Sequence, residues 1–242
     1  MNDALPESHR ELQRTLRGFC EQNVRSKARE WDRDERFPLE VVRELGQLGV
    51  LGILAEEKYG GSQMGELALA VAIEEIGRYD GGLGLSVAAH NGLGSTHLRV
   101  FGNEEQKRRY LPKLATGEWL GAWALTEPGS GSDSAGLKTT AVRRGDRYVV
   151  NGQKVWISRV QHSDLMILLA RTTPLAEVTR KSEGMSIFMV DLREAEKTGM
   201  TVRPIANMVN HETNELFFEN LEIPAGNLIG EEGMGFRYIL DG

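Results

Sequence analysis

The apolar positions of this chain change their spacing near residue 117, from a helical period to the alternation that is typical of strands. Upstream of that point, spacing of three and four residues predicts a helix over residues 7–31, with an apolar stripe formed by Leu12, Leu16, Phe19 and Cys20. Pro38 suits the first turn of a second helix, and Asn103 suits the N-cap of the last one. The helices predicted after residue 37 are PLEVVRELGQLGV, GELALAVAIEEIGRYD, GGLGLSVAAHNGLGSTHLRVFG and NEEQKRRYLPKLATG.

Downstream of residue 117, apolar and β-branched runs separated by turn residues predict strands. Gly145-Asp146 and Asn151-Gly152 each separate two such runs, so each pair predicts a hairpin. Two successive hairpins predict an antiparallel meander. The predicted strands are WLGAWALT, KTTAVRR, DRYVV, QKVWIS, DLMILLART, MSIFMVD, MTVRPIA and ELFFENLEIP, and a helical pattern returns at residues 233–242.

Charge and cysteine content narrow the possible functions. The 242 residues carry a net charge of −6, which argues against nonspecific nucleic-acid binding. Cys20 is the single cysteine, so the chain forms no internal disulfide, and its helical context predicts a buried thiol. The N-terminus lacks the apolar core of a secretory signal, and the longest apolar run, residues 165–170, is too short to span a bilayer. These features predict a cytoplasmic protein.

The segment WALTEPGSGSD passes from a strand pattern into a loop rich in glycine and serine. It does not match a dinucleotide fingerprint, because Ser134 stands where the third glycine belongs and a strand follows. No Gly-Lys-Ser/Thr follows as in a P-loop, and neither Ser130 nor Ser132 has the Gly-x-Ser-x-Gly frame of a nucleophile. A metal site is not predicted, because His90 and His97 lie about two helical turns apart, roughly 10 Å. The loop pattern fits either a surface turn or a cradle for a phosphate or cofactor.

Two pairs of positions point toward a flat ligand. In QKVWISR, Trp156 and Ser158 are two residues apart on a predicted strand and share a face, as do Ala124 and Thr126 in WALTEP. A flat ring or a small residue beside a hydroxyl suits a planar heteroaromatic ligand. A buried tryptophan beside a hydrogen-bonded serine is the commoner arrangement, so the pattern leaves both interpretations open.

Several long segments together resemble the acyl-CoA dehydrogenase flavoprotein family, and they cover almost the whole chain in the family's order. They are EKYGGSQMG, FGNEEQKRRYLPKLATGEWLGAWALTEP, WALTEPGSGSD, GDRYVVNGQKVWIS and FFENLEIPAGNLIGEEGMGF. The resemblance implies an α+β fold with an N-terminal all-α domain over residues 1–117 and an antiparallel, β-barrel-like middle domain over residues 118–230. Residues 231–242 would be the start of a truncated C-terminal helical domain.

The resemblance also implies a cofactor, a reaction and partners. FAD would be tightly held, and acyl-CoA thioesters would be oxidised to 2-enoyl-CoA within fatty acid metabolism. Electrons would pass to an electron-transfer flavoprotein, and the full-length protein would form a homodimer or homotetramer. Ser132 would also contact the CoA part of the substrate. By position, the residues that would contact FAD are Trp123, Ala124, Leu125, Thr126, Gly131, Ser132, Trp156, Ile157 and Ser158.

No catalytic base is predicted in this chain. In the family the base is a Glu of the C-terminal helical domain, while Glu127 belongs to the flavin-loop motif. The chain alone is therefore expected to be an inactive fragment. Two alternatives remain: a non-catalytic remnant that binds flavin or acyl-CoA, and an O₂-using acyl-CoA oxidase or flavin monooxygenase relative. The segments ISRVQHSD and NHETNE depart from the family's commoner pattern, so the acyl chain length, its branching and the electron acceptor stay open.

Overall fold

The described part of the chain before the first strand is helical. The computed structural model describes residues 5–208 and 211–241. The single helix predicted over residues 7–31 is two helices, because Val24 and Arg25 both donate to the Cys20 carbonyl and the helical ladder restarts after them. The helices in this part are α1 (Glu7–Asn23), α2 (Ala28–Arg33), α3 (Leu39–Gln47), α4 (Gly65–Gly77), α5 (Gly81–Ala89), α6 (Thr96–Phe101) and α7 (Glu104–Ala115).

The predicted helix over residues 81–102 is interrupted by a π-helical turn, His90–Ser95, between α5 and α6. Gly94 of this turn approaches Gly121 so closely that a Cβ on Gly94 would lie 2.9 Å from the Gly121 carbonyl carbon. Both positions therefore need glycine. Single π turns of this kind are frequent at functional sites.

The N-cap of α7 is confirmed. The Asn103 Oδ1 accepts from the Gln106 amide at 2.9 Å, and the Gln106 Oε1 accepts from the Asn103 amide at 3.0 Å. This reciprocal pair is a capping box, which satisfies two amide groups at the start of the helix.

The helical unit contains the described chain up to Gly92 together with Arg109–Glu118. In its core α1 packs against α4, and α4 packs against α5. Leu16, Cys20 and Ile76 are fully buried there, which confirms the buried thiol predicted for Cys20.

The sheet unit contains Leu93–Arg108 and the chain from Trp119 onward. Its eight-stranded sheet has the hydrogen-bonded order β6-β7-β3-β2-β4-β5-β8, and β1 pairs with β4. The domain boundaries predicted at residues 117 and 230 stay predictions. The strands are β1 (Gly121–Ala124), β2 (Thr140–Arg144), β3 (Arg147–Ser158), β4 (Leu165–Arg171), β5 (Met185–Asp191), β6 (Met200–Pro204), β7 (Thr213–Pro224) and β8 (Leu228–Ile229).

The sheet is mixed, which corrects the prediction of an antiparallel one. β1 and β2 each pair with β4 in parallel, whereas the other pairings are antiparallel. The prediction rested on tight turns, which join antiparallel strands. No tight turn joins β4 to β1 or to β2, so these strands can pair in parallel. In the described part of the chain the path runs from β6 to β8 and does not close, so the sheet is not a closed barrel.

One of the two predicted hairpins is confirmed and the other is wrong. Arg144 pairs with Arg147 across the Gly145-Asp146 turn. β3 instead runs straight through Asn151-Gly152 as one twelve-residue strand. Gly152 lies where a Cβ would come within 2.5 Å of the Thr139 Oγ1, so glycine serves close packing here rather than a turn.

The core of the sheet unit lies against β3, β4, β5 and β7 and includes Tyr148, Leu168, Phe188 and Leu216. Two further helices are α8 (Leu192–Ala195) and α9 (Gly235–Asp241). The second confirms the helix predicted near the end of the sequence, within the described residues. Gly235 begins α9 against β5, where a Cβ would lie 2.7 Å from the Ser186 Cα.

Candidate functional site

The segment after β1 is docked on β3 through its backbone. The Leu125 carbonyl accepts from the Lys154 Nζ at 2.8 Å, and the Thr126 carbonyl accepts from the Val155 amide at 2.9 Å. β1 ends at Ala124 instead of continuing through Thr126 as predicted. Ala124 and Thr126 therefore do not share a strand face: Ala124 is fully buried, and Thr126 is half-buried in the loop.

The loop that follows is an ordered turn. Glu127 and Ser130 exchange two backbone hydrogen bonds, of 3.1 and 3.0 Å, around Pro128 and Gly129. The Ser130 hydroxyl points inward and donates to the Asp133 carbonyl at 2.6 Å. The backbone path is thus fixed by the chain itself, which leaves the outer edge of the turn available to a ligand.

Two glycines of this loop face open space. A Cβ added to Gly129 or Gly131 would have no atom within 4 Å, and neither glycine has a positive φ. Neither packing nor backbone conformation therefore demands glycine at these positions. Gly131 and Ser132 are exposed. The loop thus presents bare backbone to its surroundings, as a phosphate or cofactor cradle does.

Glu127 is buried and both of its carboxylate oxygens accept hydrogen bonds. Oε2 accepts from the Lys138 amide at 2.6 Å, and Oε1 accepts from the Thr139 amide at 3.0 Å and from the Lys154 Nζ at 2.9 Å. Burial raises the pKa of Glu127, but the Lys154 charge and these hydrogen bonds outweigh that effect and hold the pKa below its ordinary value. A carboxylate so engaged is a poor proton acceptor.

A bulge in β3 turns Trp156 outward. The register with β7 shifts between Lys154 and Ile157, and Trp156 has a φ of 62°, which is uncommon for a bulky side chain. Its side chain is 58% exposed, so the alternative of a buried tryptophan is wrong. Ile157 is buried and Ser158 is half-buried, and the shared face predicted for Trp156 and Ser158 stays a prediction, because the bulge interrupts strand alternation at Trp156.

Trp123 stacks on a histidine that the sequence pattern did not connect with it. The imidazole of His97 lies 4.5 Å from the Trp123 ring at an angle of 23°. His97 is buried, and burial lowers its pKa, partly offset by the Leu93 carbonyl. The neutral ring therefore supports one side of the half-buried Trp123.

The two segments that depart from the commoner family pattern contact each other. The Glu212 carboxylate accepts from His162 at 2.9 Å and from Gln161 at 3.0 Å, and its carbonyl accepts from the Arg159 amide at 2.7 Å. Burial lowers the pKa of Arg159 to about 10, although the nearby Glu212 charge acts to raise it. Asn210, the first residue of NHETNE, lies outside the described residues.

The structure places the predicted cofactor contacts in two groups. The first lies at the end of β1 and in the loop after it, and the second lies at the bulge and the C-terminal end of β3. The Val155 amide joins the two groups through the Thr126 carbonyl. Ala124 and Ile157 have side chains in the core, so only their backbone atoms could reach a ligand. The partly or fully exposed members are Trp123, Leu125, Thr126, Gly131, Ser132, Trp156 and Ser158.

Sequence reasoning missed Lys154, His97 and Thr139. Lys154 lies two residues before Trp156, so strand alternation places both side chains on one face, yet Lys154 is fully buried. The only available signal was a lysine directly before the apolar run Val155–Ile157, because lysine is rarely buried without a partner. No comparable signal connected His97 with Trp123, because their contact depends on the tertiary fold.

None of the helices in residues 5–208 and 211–241 is long and apolar enough to cross a membrane. Across the same residues, no group of three or more His, Cys, Asp or Glu is arranged to hold a metal ion.

Family models match most of the chain. The acyl-CoA dehydrogenase N-terminal domain matches residues 6–118, and the acyl-CoA dehydrogenase middle domain matches residues 122–221. The mitochondrial isovaleryl-CoA dehydrogenase of Pongo abelii is 38% identical over 99% of this chain, which spans 57% of that protein.

Solved structures agree in fold. A chain from the structure described as the electron transferring flavoprotein of Acidaminococcus fermentans superposes with a TM-score of 0.92 at 31% identity, over 100% of this chain and 62% of that one. An acyl-CoA dehydrogenase from Bacillus anthracis, complexed with FAD, gives a TM-score of 0.88 at 34% identity, over 99% of this chain and 40% of that one. The chain thus spans about three fifths or less of these matched proteins.

Proposed function

Because this chain belongs to the acyl-CoA dehydrogenase family, we propose that it is part of an FAD-dependent enzyme that oxidises acyl-CoA thioesters to 2-enoyl-CoA. The observation that supports this most directly is Trp156, which a bulge turns outward beside the docked Leu125–Thr126 segment. The activity is proposed for the whole protein, since the chain spans 57% of the isovaleryl-CoA dehydrogenase that it matches.

The residues of the site fit FAD. The exposed ring of Trp156 offers a flat apolar surface to the isoalloxazine. Leu125 and Thr126 would hydrogen-bond the ring edge, and Ser158 would contact it from β3. Gly131 and Ser132 are exposed, and no atom lies within 4 Å of a Cβ added to Gly131. These two residues would contact the phosphates and the CoA part of the substrate. Trp123 would line the cofactor with His97 behind it.

The chemistry requires three contributions. FAD, when bound, accepts a hydride from the substrate's β-carbon. Hydrogen bonds must polarise the thioester carbonyl, and a carboxylate must remove the α-proton. This chain supplies the groups that bind and orient the ring. We propose no base within it. For Glu127, the hydrogen bonds that its carboxylate accepts and its lowered pKa argue against that role.

The proposed partners follow from the family and from one solved relative. Acyl-CoA is the substrate class, and an electron-transfer flavoprotein is the electron acceptor, as suggested by the match to a chain from the Acidaminococcus fermentans flavoprotein structure. A homodimer or homotetramer is proposed for the intact protein. The cytoplasmic location remains a prediction from the sequence.

The test of cofactor binding is direct. The purified full-length protein should be yellow, and it should release FAD on denaturation. A colourless protein that FAD fails to reconstitute would refute the assignment. Trp156→Ala should weaken FAD retention, and Thr126→Ala should change the flavin absorption spectrum more than it changes folding.

The test of reaction class uses the intact protein, a series of acyl-CoA chain lengths and a dye acceptor. Substrate-dependent dye reduction without peroxide supports a dehydrogenase. Peroxide formed in proportion to turnover would indicate the oxidase alternative. FAD binding without any turnover across the series would indicate the non-catalytic alternative.

A further inference from the structure

A buried ion pair lies directly behind the loop that presents Leu125 and Thr126. The Lys154 side chain has no exposed surface and that of Glu127 has 6%, with the Nζ 2.9 Å from the carboxylate. Burying two charges is expensive, and well-packed apolar residues are often at least as stabilising. The pair therefore calls for an explanation beyond stability of the core.

The hydrogen bonds of this pair go to backbone groups of the loop and its surroundings. Lys154 donates to the Leu125 carbonyl at 2.8 Å as well as to Glu127. Glu127 accepts from the amides of Lys138 and Thr139, immediately before β2. A single pair thus ties the segment after β1 to the residues immediately before β2 and to β3.

Lys154 also stands at the bulge of β3. It is the last residue in register with β7 before the shift, pairing with Leu216, and register resumes at Ile157. Trp156 lies within the shifted segment with its positive φ. The lysine therefore lies between the two groups of residues that would face a flat cofactor.

We propose that the Lys154–Glu127 pair is a positioning device that holds the Leu125–Thr126 backbone in its ligand-facing conformation. The inference deepens the proposed function and rests on it for the identity of the ligand, FAD. In this proposal both residues act through the backbone and neither is assigned a contact with the substrate. Lys154 fixes the Leu125 carbonyl, and Glu127 anchors Lys154 and the β2 end of the loop.

The experiment compares Glu127→Gln and Lys154→Met with a matched control, Glu75→Gln. Glu75 is also fully buried and paired with an arginine, but it lies in the helical unit. Backbone amide exchange is followed without FAD at Val155, whose amide donates to the Thr126 carbonyl. FAD affinity and the visible flavin spectrum are then measured for each protein, and circular dichroism confirms folding.

Glu127→Gln and Lys154→Met should speed exchange at Val155, shift the flavin spectrum and weaken FAD binding by about 10- to 100-fold, the loss expected for one charged hydrogen bond. Glu75→Gln should lower the melting temperature while it leaves Val155 exchange and FAD affinity unchanged. If Lys154→Met does not fold, Glu127→Gln carries the test, because it preserves side-chain volume.

The outcomes separate the inference from the proposed function. A wild-type protein that does not bind FAD refutes the proposed function, and Val155 exchange then decides the positioning role alone. Wild-type exchange in a folded Glu127→Gln variant overturns the inference. Where the wild type binds FAD, unchanged affinity in that variant, or an equal loss in Glu75→Gln, also overturns it.

Discussion

The two compact units each bury a carboxylate with a cationic partner, and the partners differ. In the helical unit, Glu75 accepts from Gln13 at 2.9 Å and from Arg17 at 2.8 and 3.1 Å. The Arg17 side chain remains 46% exposed. In the sheet unit, Glu127 accepts from fully buried Lys154 and from two backbone amides.

The comparison shows two uses of a buried charge. Glu75 joins α1 to α4 through side chains alone, and Arg17 can turn to water if the contact is lost. Glu127 holds backbone groups, so its loss changes the path of the chain as well as the charge balance. Burial raises the pKa of Glu75, but Arg17, Arg78 and Gln13 together outweigh this, and the pKa is lowered as it is for Glu127. The pKa of both carboxyl groups is therefore lowered, but losing Glu127 would release backbone groups, whereas losing Glu75 would release side chains only.

The largest expected effect is on stability. Glu127→Leu should lower the free energy of unfolding by about 3–5 kcal/mol, because it leaves the Lys154 charge buried without its partner. Glu75→Leu should lower it by about 1 kcal/mol, because Arg17 regains water and one buried donor, Gln13, loses its acceptor. Urea unfolding of both variants measures the difference. Equal losses would contradict the distinction between the two carboxylates.

The next largest effect is on the free energy of unfolding when alanine replaces Gly152, compared with Gly131. Gly152→Ala should destabilise the protein by about 1–3 kcal/mol, since its Cβ would lie 2.5 Å from the Thr139 Oγ1, beside the amide that binds Glu127. Gly131→Ala should change stability by less than about 0.5 kcal/mol, because its Cβ meets open space. Gly131→Ala should instead weaken FAD binding. Thermal unfolding and FAD titration of both variants separate packing from ligand approach.

The pH dependence of stability at alkaline pH should differ between the Lys154–Glu127 pair and the Arg17–Glu75 pair. Burial lowers the pKa of Lys154 to about 8 from 10.5, so between these values the unfolded chain holds a proton that the folded chain has released. Stability from this group therefore rises with pH across the window, by up to about 1.4 kcal/mol per pH unit. The pKa of Arg17 is raised, so the Glu75 pair contributes no such change.

Urea unfolding of the wild type and of Lys154→Met at several pH values in that window checks this expectation. The wild type should gain stability relative to the variant as the pH rises. Parallel curves for the two proteins would show that Lys154 does not titrate there.

The smallest effect concerns the thiol of the helical unit. Burial raises the pKa of Cys20 to about 11, with Glu75 and Glu21 adding to the shift. A thiol reagent should therefore leave the folded protein unmodified near neutral pH and react once the protein is unfolded. Colorimetric thiol titration, with and without urea, measures this. Rapid labelling of the folded protein would mean that the helical unit opens around Cys20.

Local patterns predicted much of the secondary structure. The helical and strand halves, the Gly145-Asp146 turn and the Asn103 cap all depend on residues close in sequence, and the structure has them. The hairpin predicted at Asn151-Gly152 is wrong because pairing with β7 overrides the local turn preference. β3 pairs with β7 before and after Asn151, and the Asn151 Oδ1 accepts from the Asn220 amide. The strand that leads into the loop WALTEPGSGSD ends at Ala124 and is shorter than predicted.

The sequence by itself determined the order of helices and strands, the buried thiol and the family, because these follow from spacing, composition and long motifs. Only the tertiary structure decided that the sheet is mixed, that Lys154 points inward while Trp156 points outward, and that Glu127 holds the loop. Strand alternation assigns Lys154 and Trp156 to one face, and a bulge set by pairing with β7 reverses that assignment. The Glu127–Lys154 contact joins residues 27 positions apart, and such contacts depend on how distant segments meet.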